Sequence, residues 1–241
     1  FVRWEEPRGV WVIDAGGSER RVFDWIETRH PCWSPEGEEI LFSRQYGGSE
    51  GRTRCFWGRC FTMPGSKHWR LGIVSLGDRA FAEPAAEKKV ARAPDWSPDG
   101  QQFVYQGERG LVVEGADGSA RHQLTTDARD TSPVWSPDGT RVAFVRRQHD
   151  HWEVYVLDLA TGQQARLTDT PAVNGVAANS VSPAWSPDGA YLAFLTDRSG
   201  RWEIWVMGAD GSKQGLLFGT ELDGLTLDYA FAGERAIDWS R

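Results

Sequence analysis

The chain has 241 residues and a formal net charge of −7, with 40% hydrophobic and 25% charged residues. This composition is typical of a folded globular protein and argues against a disordered one. An acidic chain is also poorly suited to coating nucleic acid or anionic membranes, which requires a basic surface, although it leaves room for a local basic patch.

The N-terminal 24 residues predict three short strands: Phe1–Trp4, Gly9–Asp14 and Arg21–Phe23. They read as strands two, three and four of a four-stranded unit without strand one. No apolar run here or later in the sequence approaches the roughly 18 residues needed to span a bilayer. Because the sequence starts with Phe1 rather than Met, we expect an excised domain or a processed chain.

A 13-residue pattern then recurs along the chain. HPCWSPEGEEILF at 30–42 is followed by copies at 93–105, 132–144 and 182–194, and a broken copy, AIDWSR, stands at 236–241. The Trp residues of successive copies are 39 to 63 residues apart. A unit of roughly 40 residues with insertions is typical of the four-stranded blade of a β-propeller.

Each copy predicts the same hairpins. A short strand precedes Trp, SPDG supplies a tight turn, and an alternating strand such as Tyr191–Phe194 follows. A third strand is predicted at Trp152–Leu157 and again at Trp202–Met207, and a short fourth strand at Ala165–Thr168. Four strands per unit fit one blade.

The two ends of the chain complement each other, because residues 236–239 supply the strand that the first unit lacks. We therefore predict an all-β, five-bladed propeller of four-stranded antiparallel blades, closed by pairing of the C-terminal strand with the N-terminal blade. It forms a single domain, 1–241. The predicted blades are 1–29 plus 236–241, 30–92, 93–131, 132–181 and 182–235.

The PxWSPDGxxxAF…EIYVxxxDGxxxxLT pattern resembles the TolB-like (WD40-like, WSPDG-repeat) β-propeller family, which is also found beside tricorn-type and prolyl-oligopeptidase-type proteases. The resemblance covers nearly the whole chain and implies a propeller that binds, scaffolds or gates substrates. Familiar members often have six or seven blades, so the count of five depends on the terminal strands. The blade after Trp33 also carries a long insertion.

The repeated Trp and Asp residues have structural interpretations. A Trp at the same place in every unit is expected to pack between blades rather than to form an aromatic binding array. The Asp of SPDG is expected to bond its own turn, because widely separated turns cannot form one ring of carboxylates. The repeated tryptophans are Trp33, Trp96, Trp135, Trp185 and Trp239.

Catalytic motifs are scarce. There is no GxSxG elbow, no Gly-rich phosphate loop and no HExxH helix. Asp95 and Asp238 both precede a repeat Trp, and two carboxylates at the mouth of a central funnel would suit glycoside hydrolysis. A glycoside-processing or other hydrolase is therefore the alternative function, with turn or strand-edge solvation as the structural interpretation of this pair.

The three cysteines allow one disulfide. Cys55 and Cys60 are spaced to close a small hairpin disulfide in an oxidising compartment, or else remain two unpaired thiols in a loop. Cys32 is expected to be buried and unpaired on an inner strand. The spacing of Cys and His does not suit a zinc site, and we expect neither a metal nor a cofactor.

Three insertions distinguish the blades: 45–69, 169–181 and 220–235. Each lies in a connection into strand one or between strands two and three, so all three are expected on one face. Propellers bind through variable loops on a rigid ring, which makes this face the functional candidate.

The largest insertion is basic and aromatic inside an acidic chain. Such residues suit stacking on sugars or bases, or docking of an acidic peptide. The structural interpretation is an insertion whose aromatic residues fold over the ring as a small core. The candidate binding residues are Phe56, Trp57, Arg59, His68, Trp69 and Arg70.

The sequence thus predicts a noncatalytic binding or scaffold propeller that recognises a protein, peptide or glycan at the long-loop face. Nucleic acid is disfavoured as a partner. We expect a monomeric domain of a larger bacterial protein, exported, periplasmic or associated with the cell envelope. The identity of the partner does not follow from the sequence.

Overall fold

The computed structural model describes residues 2–3, 8–25, 27–49, 51–56, 59–63, 65–84, 90–169, 177–218, 227, 229 and 235–239, and every regular element within them is a strand. The first sheet is three-stranded and antiparallel, with the strands in chain order. Its strands match the three predicted at the N-terminus. They are β1 (Val2–Arg3), β2 (Gly9–Ile13) and β3 (Glu19–Phe23).

The second sheet is four-stranded, in the order β4-β5-β8-β9, while β6 and β7 pair only with each other as a separate hairpin. The predicted long insertion is therefore largely strand, because β5 and β8 stay paired as far as Ser49 and Ser66. The six strands are β4 (Thr28–Trp33), β5 (Glu39–Ser49), β6 (Arg52–Phe56), β7 (Arg59–Met63), β8 (Ser66–Ser75) and β9 (Phe81–Ala82).

Three further four-stranded antiparallel sheets follow, each with its strands in chain order. The third consists of β10 (Arg92–Trp96), β11 (Gln102–Gly107), β12 (Gly110–Gly115) and β13 (His122–Gln123). The fourth consists of β14 (Asp130–Trp135), β15 (Arg141–Arg147), β16 (Trp152–Asp158) and β17 (Gln164–Arg166). The fifth consists of β18 (Ser180–Trp185), β19 (Tyr191–Thr196), β20 (Glu203–Gly208) and β21 (Gly215–Leu216).

The SPDG motifs form the turns between the first and second strands of these three sheets. In the fifth sheet, Ser186 Oγ donates to the Asp188 carboxylate at 2.6 Å and accepts the backbone N–H of Tyr191 at 2.9 Å. Gly189 has a φ of 68°, which a residue with a side chain rarely adopts. The same network recurs at Ser97 and Ser136, so the repeated residues are turn formers.

The repeat tryptophans pack each sheet against the preceding one, with one exception. Trp96, Trp135 and Trp185 are buried, and Trp185 lies among apolar residues of the fourth and fifth sheets. Trp33 is instead 51% exposed, so its predicted packing role is wrong. The first sheet has no described strand in the innermost position against which the Trp33 ring would pack. Trp239 is half-buried.

A bulge interrupts the innermost strand of each sheet from the second to the fifth. The residue before a proline adopts a positive φ of 47° to 54° in all four strands, and the register shifts there. Proline has no N–H to donate, so it suits a bulge. Together the four bulges line a narrow central channel. The residues with positive φ are His30, Ala93, Ser132 and Ser182.

The described part of the C-terminal segment, 235–239, forms no strand. Instead, the backbone N–H of Ala236 donates to Ser182 Oγ at 2.8 Å, and Arg235 contacts Asp95 at 2.7 Å inside the channel. The predicted pairing of 236–239 with the first sheet, and with it the closed five-bladed ring, is therefore not confirmed. Long-range contacts to the innermost strands of the third and fifth sheets hold this segment.

Candidate functional site at the long-loop end of the channel

The channel has two chemically different ends. Connections alternate between the two ends of an antiparallel sheet, so the segment leading into strand one shares its end with the connection between strands two and three. The β5–β8 connection and the segment leading into β18 belong to this set, and we call their side the long-loop end. The SPDG turns lie at the other side, which we call the turn end. Most of 220–235 falls outside the described residues.

A cavity of about 420 Å³ opens where the first strands begin and the second strands end. Three arginines and no carboxylate are among its described lining residues, in a protein with a net charge of −7. Trp152 and Tyr229 add aromatic walls, and Val145 and Val181 add apolar ones. The arginines are Arg92, Arg129 and Arg147.

The indole ring of Trp69 packs against the guanidinium of Arg92. The guanidinium carbon lies 4.9 Å from the centre of the indole ring, a cation–π distance. Burial, reinforced by the nearby Arg29 charge, lowers the pKa of Arg92, with Glu27 opposing this shift. Arg92 Nε is buried without a hydrogen-bond partner in the described part of the chain. The positive charge of Arg92, at the inner wall of the cavity, is thus only partly balanced by nearby negative charge.

The other two arginines differ in their pairing. Arg129 contacts the Asp127 carboxylate at 2.6 Å, so its charge is balanced locally. Arg147 is exposed at the end of β15, and the described residues place no carboxylate within ion-pair distance of it. Arg92 and Arg147 are therefore the two cations with capacity for an added anion.

Sequence reasoning missed both of these arginines. The available signal was weak: Arg29 and Arg92 occupy the same place before the bulge in two copies, where the others have Thr131 and Val181. Nothing in the sequence indicates that a Trp from the neighbouring sheet supports Arg92.

The predicted site residues are divided by the alternation of β8. Trp69 is only 4% exposed, and its ring packs against the guanidinium of Arg92. His68 and Arg70 lie on the opposite side of the strand, and both contact the Tyr46 ring. Arg70 also pairs with Glu83 at 3.1 Å.

The remaining predicted residues lie around the β6–β7 hairpin. Phe56 ends β6 and Arg59, which is exposed, begins β7. Trp57 lies outside the described residues. Cys55 and Cys60 pair directly across the hairpin, with Cα atoms 4.0 Å apart, and are joined by a disulfide.

Cys32 is buried and unpaired on β4. Its Sγ donates to the carbonyl oxygens of Pro94 at 3.3 Å and Leu41 at 3.5 Å. Burial, together with the negative charge of Asp95, raises the pKa of the Cys32 thiol well above its ordinary value. The thiol is thus kept protonated and links the second and third sheets.

The alternative catalytic pair is engaged in structural contacts. One oxygen of Asp95 accepts the backbone N–H of Trp135 at 2.7 Å, and the other contacts Arg235 at 2.7 Å. Burial raises the pKa of Asp95, with Arg235 opposing the shift. Asp238 is exposed and lies 3.9 Å from the same guanidinium. Asp95 thus binds the C-terminal segment to the third and fourth sheets.

The described residues contain no cluster of three or more His, Cys, Asp or Glu side chains arranged to hold a metal ion. Nor do they contain a helix of the length and apolar character that a membrane crossing requires.

Four-stranded antiparallel sheets around a central channel define the class of β-propellers. The family model described as the TolB beta propeller domain matches residues 85–221. Since this match covers more than half of the chain, the protein belongs to the TolB β-propeller family.

Individual relatives agree with this assignment. The chain is 28% identical over 137 residues to a TolB homolog of Chlorobium luteolum, covering 55% of this chain and 27% of the relative. It is 41% identical over 66 residues to the Tol-Pal system protein TolB of Coxiella burnetii, covering 27% of this chain and 15% of the relative. The matched part thus spans at most about a quarter of these relatives.

Solved structures show the same fold. TolB from Acinetobacter baumannii superposes with a TM-score of 0.66 at 21% identity, covering 88% of this chain and 49% of that one. Sequence identity at this level supports a shared fold and nothing further.

Proposed function

We propose that this chain is a noncatalytic binding propeller that docks a protein or peptide at the long-loop end of its channel. The observation that carries the proposal is the position of the 420 Å³ cavity, which opens where the repeats diverge in sequence. Binding sites in repeat proteins concentrate in such variable positions on a rigid scaffold. The resemblance to a Tol-Pal system protein favours a protein or peptide over a glycan.

The outer border of this docking surface is proposed to include the loops 45–69, 169–181 and 220–235. Arg59, His68, Arg70 and Phe56 belong to the first loop and its strands, and the proposal keeps Trp57 from the sequence. Trp69 contributes indirectly, because its ring packs against Arg92. We further propose that the chain is a single five-bladed domain of a longer exported or envelope protein. A disulfide at Cys55–Cys60 is consistent with an oxidising compartment.

Site-specific photo-crosslinking tests the docking end. A photoreactive amino acid replaces His149, which is exposed in the β15–β16 connection at the long-loop end. The matched control carries the same group at Gln101, exposed beside a SPDG turn. We expect a discrete protein adduct in the host cell from position 149 and none from 101. An adduct only from position 101 would place docking at the turn end and contradict the proposal.

A further inference from the structure

The uneven pairing of the cavity arginines suggests the chemistry of the ligand. This inference rests on the proposed function, because it concerns the same end of the channel. Arg129 is balanced by Asp127, whereas the described structure places no carboxylate within ion-pair distance of Arg92 or Arg147, and Glu27 acts on Arg92 only from farther away. A partly buried cation without a paired carboxylate destabilises the folded protein, and a bound anion would offset that cost.

Arg92 is also oriented in advance. Its guanidinium stacks over Trp69 at 4.9 Å, so the side chain is fixed before any ligand arrives. A planar guanidinium donates two parallel hydrogen bonds to a carboxylate, and a fixed one loses less conformational entropy on binding.

The other groups that line the cavity suit a ligand with a small polar group attached to a short apolar chain. The oxygen of the Gln106 side chain accepts from Thr131 Oγ1 at 2.9 Å, and its NH2 group remains a donor. Val145 and Val181 form apolar wall beside these donors. Such an arrangement matches an acidic side chain, whose methylene groups pack against valine while its carboxylate reaches the arginines.

We infer that this cavity binds a carboxylate of an acidic peptide segment, held between Arg92 and Arg147. A polyphosphate ligand fits less well, because it has no methylene groups to pack against Val145 and Val181. An acidic sugar would place hydroxyl groups against the valine walls, where their hydrogen bonds would be lost. A volume of about 420 Å³ is near the lower end for ligand pockets and suits one or two side chains.

Titration calorimetry at low ionic strength tests the inference with acetylated, amidated tetraglutamate as the probe. Tetraglutamine is its uncharged control, and inorganic phosphate and trigalacturonate represent the other anion sources. We expect tetraglutamate to bind and tetraglutamine not to bind. R92Q and R147Q should each weaken tetraglutamate binding by roughly tenfold or more, the effect of losing a charged hydrogen bond.

Two further variants separate the role of Arg92 from general effects. R109Q removes the same charge from the exposed β11–β12 connection at the long-loop end, outside the cavity lining, and should change the affinity by less than about twofold. R92K keeps the charge but loses the planar fork, so its affinity should fall between those of wild type and R92Q. Unfolding curves of R92Q check that the variant is folded.

Several outcomes would overturn the inference. Unchanged tetraglutamate affinity in folded R92Q and R147Q removes the arginines from the site. Tighter binding of phosphate or trigalacturonate than of tetraglutamate excludes the peptide as the preferred source. If tetraglutamate fails to bind while crosslinking at position 149 persists, the carboxylate inference is wrong and the proposed docking end stands. If only the crosslink is absent, the proposed protein docking fails and the carboxylate site stands.

Discussion

The turn end and the long-loop end of the channel are built from the same repeats but use them differently. At the turn end, Ser and Asp of each SPDG motif make the same hydrogen bonds in three sheets. At the long-loop end, the four bulges share one backbone conformation but carry different side chains. The repeats thus keep the same backbone conformation at both ends, while the side chains differ from sheet to sheet at the long-loop end.

Charge follows the same division. At the turn end, hydroxyl and backbone N–H donors lower the pKa of each motif carboxyl, so its negative charge is satisfied within its own turn. At the long-loop end, Arg92 is partly buried against an aromatic ring and has no carboxylate within ion-pair distance in the described structure. The turn carboxylates already have their hydrogen-bond donors and therefore stabilise the fold. The unpaired arginine charge at the long-loop end can still be stabilised by a bound anion.

The scaffold should show the largest response to mutation. Phe194 is fully buried between the fourth and fifth sheets, so F194A should lower the free energy of unfolding by about 3–5 kcal/mol through lost burial and a cavity. Tyr191 lies on the same strand and is 50% exposed. Y191A should therefore cost less than about 1 kcal/mol. Urea unfolding measures both, and equal losses would contradict packing between sheets.

The contact between Asp95 and Arg235 in the channel should show the next largest effect on the free energy of unfolding. D95N removes the negative charge that faces Arg235 and should lower the free energy of unfolding by about 2 kcal/mol. The loss is smaller than for a fully buried pair because the Arg235 side chain is 25% exposed. D238N, at the exposed carboxylate, is the matched control and should cost less than about 0.5 kcal/mol. If D238N costs as much as D95N, the Arg235–Asp95 contact does not hold the C-terminal segment.

The sequence predicts well what the repeats specify locally. The SPDG turns and the four-strand units of the third to fifth sheets follow from turn chemistry and alternation over a few residues. The β6–β7 hairpin also follows from a local feature, the spacing of Cys55 and Cys60, although the sequence left open whether the two thiols are joined. Short-range patterns therefore define the scaffold.

Features set by distant contacts were the ones missed. AIDWSR has the sequence of an inner strand, yet Arg235 contacts Asp95 across 140 positions and the described segment forms no sheet. Trp33 and Trp185 both stand in a PxWSP sequence, yet Trp33 is 51% exposed and Trp185 is buried, because their neighbouring sheets differ. The arginine cavity combines residues from several sheets, which no single stretch of sequence reveals.

The β6–β7 hairpin should respond only locally. Two-stranded sheets are marginally stable, and this one pairs with no other described strand. A C55S/C60S double variant should therefore exchange amide hydrogens in 52–63 roughly tenfold faster or more, while the midpoint of global unfolding stays unchanged. Reduced wild-type protein should behave like the variant. A fall in the global midpoint comparable to that of F194A would show that the hairpin is part of the scaffold.

The smallest effect is expected at a single turn carboxyl. The Ser186 hydroxyl, donating at 2.6 Å, is the main cause of the lowered pKa of Asp188, and the Ala190 N–H adds to it. S186A should therefore raise the pKa of Asp188 toward its ordinary value of about 3.9. A folded-state pKa below the unfolded value stabilises the protein above the unfolded pKa, and this stabilisation is lost as the pH falls through the folded value. Carboxyl NMR titration measures the shift, and Asp138, in the equivalent turn of the fourth sheet, serves as the internal control. If the pKa of Asp188 does not change, or if the pKa of Asp138 changes equally, the Ser186 hydroxyl does not act specifically on the carboxyl of its own turn.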